Sequence, residues 1–412
     1  MGRLCAGTQT VREGEDKPMR TFVYCVLVLF AACAEESTTT RSAVDAENLI
    51  EDAAAVSDSR PELDATVVDA EPTPQPGRSV GFMADVLTYV PDGQSAERTL
   101  PVALWYPSND TDGVPAFYKL YPSARALDGA IPSLSGPAPV LLFSHGRSGF
   151  AEYSSFLCEH FASQGWLVAG IDHVGDRFSD VETPRDIYSL RPQDVTALLD
   201  FLQALPDTHP LHGRASSKVA LAGHSFGGYT TFAAVGAHFD VDTLRGDCDG
   251  GWESDFCDNV RAQEALFRVG FLDDRILAAL PIAPGNVRLF ADGEGLAELG
   301  IPVMFITGAQ DRNAPDDTQG IPVWTHLSGP EHRWVKFMTG GHFTFTNICP
   351  FIGPLGENNG CDDGFIDLDI AHDLTNRYAL AFARRHVLGD DSGADLLDAD
   401  SAAHPDIELY KK

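Results

Sequence analysis

A serine between two glycines is the residue of this chain best suited to chemistry. Gly223-His224-Ser225-Phe226-Gly227 follows a short apolar run, Lys218–Ala222, and precedes Tyr229–Val235, which can continue as a helix. This order predicts a strand, a tight turn and a helix, with Ser225 at the apex in a strained backbone conformation. A hydroxyl at a helix N-terminus is placed to attack an electrophile whose developing negative charge meets backbone N–H groups. The alternative is that Ser225 only occupies a tight turn.

A serine nucleophile needs a base, and the base needs a group that orients it. Asp311 comes shortly after the apolar run Val303–Thr307, and His342 comes shortly after Trp334–Met338. Since the carboxyl ends of parallel strands meet at one edge of a sheet, both side chains are expected near Ser225. The order Ser225, Asp311, His342 predicts His342 as the base and Asp311 as its orienting acid. The alternatives are a carboxylate that caps a helix and a histidine with a structural hydrogen bond.

Negative charge on a substrate oxygen would need two backbone donors. The N–H of Phe226, which follows the nucleophile, is one candidate. The glycine-containing loop Ser144–Phe150 predicts the second, and we assign it to the Arg147 N–H; the alternative is an ordinary strand-to-helix loop. His173, after another apolar run, and His224, inside the turn, are expected to line the pocket.

Strand-like and helical runs alternate from residue 78 onward. Short apolar runs separated by helical patterns predict an α/β fold with a mostly parallel central sheet and helices on both faces. The predicted strands are 99–106, 140–144, 167–172, 218–222, 276–282, 303–307 and 333–338, and the predicted helices are 153–164, 194–205, 229–235 and 373–388. Two longer segments, 237–274 and 344–371, interrupt the alternation; they either border the site or decorate the surface.

The charge and the N-terminal pattern bound the partners and the location of the protein. With 60 acidic and 29 basic residues the net charge is −31, which argues against nucleic acid and anionic membranes as partners. The apolar run Thr21–Cys33 is too short to span a bilayer and is typical of a signal peptide, which predicts export. Acidic residues before it fit poorly with a basic leader, so we expect the start at Met19. Phe30–Cys33 is similar to a lipoprotein cleavage box, which predicts a membrane tether through Cys33; the alternative is cleavage near Ala34.

The expected organisation has four parts. Residues 1–33 form an extension and signal peptide, 34–77 a disordered acidic linker, 78–390 the catalytic domain and 391–412 an acidic tail. In an oxidising compartment, Cys248 with Cys257 and Cys349 with Cys361 would form disulfides within short loops. Zinc is the alternative, but no Cys-x-x-Cys spacing supports it.

Taken as an ordered set, the motifs resemble the α/β-hydrolase superfamily. The match is to its serine-nucleophile branch of dienelactone hydrolase-like proteins, which includes plasma-type platelet-activating factor acetylhydrolases. It rests on 98–107, 143–146, 171–173, 191–195, 223–228, 306–311 and 341–343. Dienelactone hydrolases proper use cysteine where this chain has Ser225. In the acetylhydrolases the acid follows an earlier strand, which here ends at Asn286 without a carboxylate, so the acid is assigned to Asp311.

These observations predict a secreted or lipid-anchored serine hydrolase that cleaves carboxylic esters, with short-acyl esters or phospholipid acetyl esters as substrates. No metal or organic cofactor is expected, and the partner is a small-molecule or lipid ester. One alternative is a lipase or polyester hydrolase acting on long or polymeric esters. Another is a binding module of the same fold without catalysis.

Overall fold

The computed structural model describes residues 79–329, 331–400 and 402–412. Within these residues eleven strands form one sheet in the order β11-β10-β9-β8-β7-β5-β6-β2-β1-β4-β3. The strands are β1 Ser79–Tyr89, β2 Arg98–Ser108, β3 Pro115–Tyr118, β4 Tyr121–Asp128, β5 Ala138–Ser144, β6 Leu167–Ile171, β7 Ala215–His224, β8 Ile276–Ile282, β9 Met304–Gly308, β10 Arg333–Phe337 and β11 Ile407–Lys411.

The centre of the sheet is parallel and its margins are mixed. Strands β5 to β10 pair in parallel with their neighbours, whereas β2 pairs antiparallel with β6, β1 with β2, and β11 with β10. The predicted α/β fold with a mostly parallel sheet is therefore confirmed. Because β5, β7, β9 and β10 point the same way, the residues that follow them lie along one edge of the sheet.

Helices cover both faces of the sheet, as the sequence predicts. The α-helices are α1 Ser155–Ser163, α2 Ile187–Gln203, α3 Phe226–Ala234, α4 Val241–Asp249, α5 Asp255–Ala262, α6 Glu264–Val269, α7 Gly320–His326, α8 Cys349–Ile352, α9 Leu368–Ala383 and α10 Ala394–Leu397, and a π-helical turn, Arg384–Leu388, continues α9. Successive side chains of β5 enter opposite cores, Val140 and Leu142 beneath α2 and α3, Leu141 and Phe143 beneath α1 and α9. This is why the strand is a continuous apolar run. In the part of the chain that the structure describes, no helix is apolar over a length that would cross a bilayer.

Helix α2 begins earlier than the sequence predicts, at Ile187 rather than Asp194, and contains Pro192. Proline removes a backbone N–H that would bond the carbonyl four residues earlier. Here that carbonyl, on Tyr188, accepts the hydroxyl of Tyr229 at 3.0 Å. A side chain of α3 thus replaces the missing donor, and the helix continues through the proline.

The prediction that 391–412 forms an acidic tail outside the domain is wrong. Residues 394–397 form α10, and β11 pairs with β10 along its whole length, from Arg333 opposite Lys411 to Phe337 opposite Ile407. Strand β11 is an edge strand in which Ile407 is buried, Leu409 and Tyr410 are partly buried, and Glu408 and Lys411 are exposed, so its sequence lacks an apolar run. The predicted leader, the linker and Cys33 lie outside the described residues.

Candidate active site

The turn after β7 has the geometry that its glycines predict. Ser225 lies between β7 and α3 with φ 56° and ψ −114°, a conformation that is strained for a residue with a Cβ. A Cβ on Gly223 would lie 2.1 Å from the carbonyl oxygen of Gly227, and one on Gly227 would lie 1.9 Å from that of Ser144. The chain can therefore pack this tightly only with glycine at both positions. Ser225 itself remains partly exposed.

Ser225, His342 and Asp311 form one continuous hydrogen-bonded relay. The Ser225 Oγ lies 2.9 Å from His342 Nε2, and His342 Nδ1 lies 2.7 Å from Asp311 Oδ2. Because an ionised carboxylate only accepts, Nδ1–H is the donor and Nε2 is left to accept the serine proton. The structure thus brings together the three residues that the sequence singled out, in the geometry that a nucleophile, a base and an orienting acid require.

The environment of Asp311 keeps it ionised. Burial alone would raise the pKa of Asp311, but the attraction of His342 and the hydrogen bonds to the carboxylate hold that pKa below its ordinary value. Besides the bond from His342, Oδ1 accepts the backbone N–H groups of Asn313 and Ala314, both at 2.8 Å. The carboxylate is therefore fixed in orientation and available to stabilise a protonated His342.

The loop after β5 closes against the turn that carries the nucleophile. A Cβ on Gly146 would lie 3.2 Å from the Cβ of Ser225, so the backbone next to Arg147 passes beside the nucleophile. Phe226 is the first residue of α3, where backbone N–H groups have no partner within the helix. The assignment of the Phe226 and Arg147 N–H groups as oxyanion donors stays a prediction, which this close approach supports.

Comparison with a solved structure decides the fold class. A ferulic acid esterase from Streptomyces cinnamoneus superposes with a TM-score of 0.56 at 22% sequence identity, covering 83% of this chain and 98% of that one. The chain has the α/β-hydrolase fold. The chlorophyllase family model matches residues 114–244, a range that includes Ser225 but ends before Asp311 and His342. A platelet-activating factor acetylhydrolase from Cavia porcellus is 22% identical over 356 residues, which is 73% of this chain and 72% of that protein.

His173 does not line a pocket in this hydrolase fold, contrary to the prediction. Its side chain is completely buried, with Nδ1 2.8 Å from Asp194 Oδ2 and Nε2 2.9 Å from the Ser144 Oγ. Burial holds the pKa of His173 well below its ordinary value, so the ring is neutral and Nε2 accepts a hydrogen bond from the Ser144 hydroxyl. Asp194 also accepts a hydrogen bond from the Tyr89 hydroxyl at 2.6 Å. Arg98 donates two further hydrogen bonds to the same carboxylate, one to each oxygen. This buried relay fixes Ser144, the first residue of the loop that carries Arg147.

His224 is also completely buried, contrary to the prediction that it lines the pocket, and it contacts the backbone of His342. Its Nε2 lies 2.9 Å from the carbonyl oxygen of His342, so Nε2–H donates and holds the backbone of His342. Burial, aided by repulsion from His342, lowers the pKa of His224 to about 3. His224 therefore remains a neutral donor at physiological pH.

Arg191 is a supporting residue of the site to which the sequence analysis gave no role. Its guanidinium donates to the carbonyl of His145, to Asp176 Oδ2 at 2.6 Å and to the Thr230 hydroxyl at 3.0 Å, and it lies 4.5 Å from the Phe226 ring centroid. One buried cation thus joins the loop after β5 to α3. The signal in the sequence is a charged pair, Arg191 and Asp194, within the apolar pattern of α2.

The two longer segments both reach the site. Segment 237–274 contains the Cys248–Cys257 disulfide and brings Asp255 to 3.9 Å from the Arg147 guanidinium. Segment 344–371 contains the Cys349–Cys361 disulfide and places the side chain of Asn359 between the loops of Asp311 and His342. Both predicted disulfides are confirmed, and Asn359 is a contact that sequence reasoning missed.

Proposed function

We propose that this chain is a serine hydrolase of carboxylic esters, with short-acyl esters or phospholipid acetyl esters as its substrates. The observation that carries the proposal is the relay from Asp311 through His342 to a partly exposed Ser225. The relatives named above support the same reaction class, since one is called an acetylhydrolase and another an esterase.

In the first half of the reaction His342 Nε2 takes the proton of Ser225 as the Oγ attacks the ester carbonyl carbon. Asp311 stabilises the imidazolium that forms and keeps its Nε2 directed at the reaction. The Phe226 and Arg147 N–H groups would hold the tetrahedral oxyanion. His342 then gives its proton to the departing alkoxide, which leaves as the alcohol, and the acyl group remains on Ser225.

In the second half water replaces the alcohol. His342 takes a proton from the water as it attacks the acyl-enzyme, and a second oxyanion forms in the same position. Its collapse releases the carboxylic acid and returns the proton to Ser225. Each step uses side chains that are already in contact, so the relay serves both halves without rearrangement.

The experiment is turnover of p-nitrophenyl acetate by the wild-type protein and by Ser225→Ala. We expect the substitution to lower kcat on the order of 10⁶-fold, as in serine hydrolases that lose the nucleophile. A fluorophosphonate probe should label the wild-type protein and leave Ser225→Ala unlabelled. Retained turnover in the variant, or an unreactive wild-type protein, would contradict the proposal.

A series of p-nitrophenyl esters of increasing chain length then defines the substrate. The proposal expects kcat/KM to be highest for acetyl and to fall as the acyl chain lengthens. A maximum at long acyl chains would instead identify a lipase, and release of acids from a polymer film would identify a polyester hydrolase.

We propose further that the protein is exported and, through Cys33, tethered to a membrane. The support is the apolar run before Cys33 in the sequence, together with two disulfides, which persist in oxidising compartments. Replacement of Cys33 by serine should release a tethered protein from the membrane fraction.

A further inference from the structure

The side chain of Asn359 joins the loops that carry Asp311 and His342. Its Oδ1 accepts two backbone N–H groups, that of His342 at 3.1 Å and that of Arg312 at 3.0 Å. Its Nδ2 donates to the Asn313 Oδ1 at 2.9 Å. One amide therefore contacts the catalytic base itself and the two residues that follow the acid.

The backbone of Asn359 strengthens the same link. Its carbonyl accepts the N–H of Phe343 at 2.9 Å, and a Cβ on Gly341 would lie 2.4 Å from its carbonyl carbon. Asn359 is only 5% exposed, so water competes little for these bonds. The loop of His342 thus packs directly on this residue.

The loops that carry His342 and Asp311 contain little regular secondary structure around these two residues. His342 follows two glycines, which restrict the backbone least of all residues, and it begins a four-residue 3₁₀ turn. Asp311 lies in a turn after β9. The two loops are joined upstream of these residues by the Gln310 N–H, which donates to the Gly340 carbonyl at 2.9 Å. Asn359 adds contacts to His342 itself and to the residues that follow Asp311.

A disulfide fixes the segment that carries Asn359. Cys349 and Cys361 are bonded, and Asn359 lies two residues before the second cysteine. A covalent closure of this short loop removes many of its alternative conformations. The Sγ of Cys361 also packs against Gly356, where a Cβ would lie 2.6 Å from it, so the loop is closely folded around the bond.

We propose that Asn359 is a positioning residue, which sets the relative placement of His342 and Asp311, and that the Cys349–Cys361 disulfide holds it in place. This inference rests on the proposed ester hydrolysis. It assigns the segment 344–371 to the assembly of the relay, so that oxidation of two cysteines is a condition for full activity.

The first test compares Asn359→Ala with Asn347→Ala. Asn347 lies in the same segment, and its Oδ1 accepts the N–H of Phe156 at 2.9 Å, a bond of the same kind that touches neither catalytic loop. Active sites are counted with a fluorophosphonate probe, so that kcat refers to folded, reactive protein. We expect Asn359→Ala to lose roughly 10- to 100-fold in kcat with KM within about twofold, since displacement near 1 Å costs this much. Asn347→Ala should stay within about threefold.

A conservative variant separates positioning from general stability. Asn359→Asp keeps an oxygen that can accept from His342 and Arg312, and the Asn313 amide can rotate to donate to the second oxygen. It should recover most of the kcat lost in Asn359→Ala. An unchanged kcat per active site in Asn359→Ala, or equal losses in Asn359→Ala and Asn347→Ala, would overturn the proposal.

The second test compares the two disulfides. Cys349→Ser with Cys361→Ser should lower kcat per active site by about 5-fold or more, whereas Cys248→Ser with Cys257→Ser should leave it within about twofold. Equal effects of the two pairs would overturn the role of the disulfide. Failure of the proposed function gives a different result, because the wild-type protein would then neither hydrolyse p-nitrophenyl acetate nor react with the probe.

Discussion

Replacement of Gly227 by alanine tests the tight packing of the nucleophile turn against the loop after β5. The added Cβ would lie 1.9 Å from the carbonyl oxygen of Ser144, whereas real Cβ contacts essentially never fall below 3.0 Å, so the two backbones must separate by at least about 1.1 Å. That movement shifts the start of α3, and with it the Phe226 N–H, away from the loop of Arg147. A displacement of about 1 Å in a reacting group costs on the order of 10²-fold in rate. This corresponds to about 2.7 kcal/mol of lost transition-state stabilisation.

The assay is turnover of p-nitrophenyl acetate, with active sites counted by a fluorophosphonate probe and folding checked by thermal unfolding. Overpacking should also lower the free energy of unfolding, by about 1–3 kcal/mol. Gly285→Ala is the matched control: its Cβ would meet nothing within 4 Å, and its N–H, which bonds the Ser225 carbonyl, is retained. If Gly227→Ala folds and keeps kcat within threefold of wild type, the packing between α3 and β5 does not set the oxyanion geometry.

Two further predictions concern stability. Burial lowers the pKa of His160 and His372 to about 4 and that of His224 to about 3. The unfolded chain, with histidines near 6.5, binds more protons below that pH, so the free energy of unfolding should fall from pH 6.5 toward pH 4 by roughly 1.4 kcal/mol per pH unit for each histidine; equal urea midpoints at pH 7 and pH 5 would contradict this. Deletion of residues 406–412 removes β11, including the buried Ile407, which alone should cost about 1.5–3 kcal/mol; an unchanged urea midpoint would show that β11 is not part of the stable fold.

The central strands and the relay could be predicted because their signals are local. Each parallel strand is buried on both faces and is therefore an apolar run, and Asp311 and His342 follow such runs directly. The margins of the sheet escaped prediction for the converse reason. Strands β1, β4 and β11 have buried and exposed side chains in irregular alternation. Such a pattern contains no apolar run, and its charged residues are typical of surface loops.

The supporting contacts escaped prediction because they join residues far apart in the chain. Asn359 accepts from the backbone N–H groups of Arg312 and His342, and every residue type except proline supplies such a group, so these partners carry almost no signal in the sequence. His173 was expected at the pocket because it follows a strand, as His342 does. What distinguishes the two is access: His173 lies between Asp194 and Ser144, which are both completely buried, whereas the Ser225 beside His342 is partly exposed.

That pair of neighbours makes the chain hold the same chemical arrangement twice. From oxygen to ring to carboxylate, the distances through His173 are 2.9 and 2.8 Å, against 2.9 and 2.7 Å through His342. Yet Ser144 is fully enclosed, so no ester can reach its hydroxyl and no water can regenerate it. Interatomic geometry alone is therefore not sufficient for a reactive serine, because the hydroxyl must also be accessible. Of the two arrangements, only that of His342 has a partly exposed serine, and the buried one around His173 supports the loop beside it.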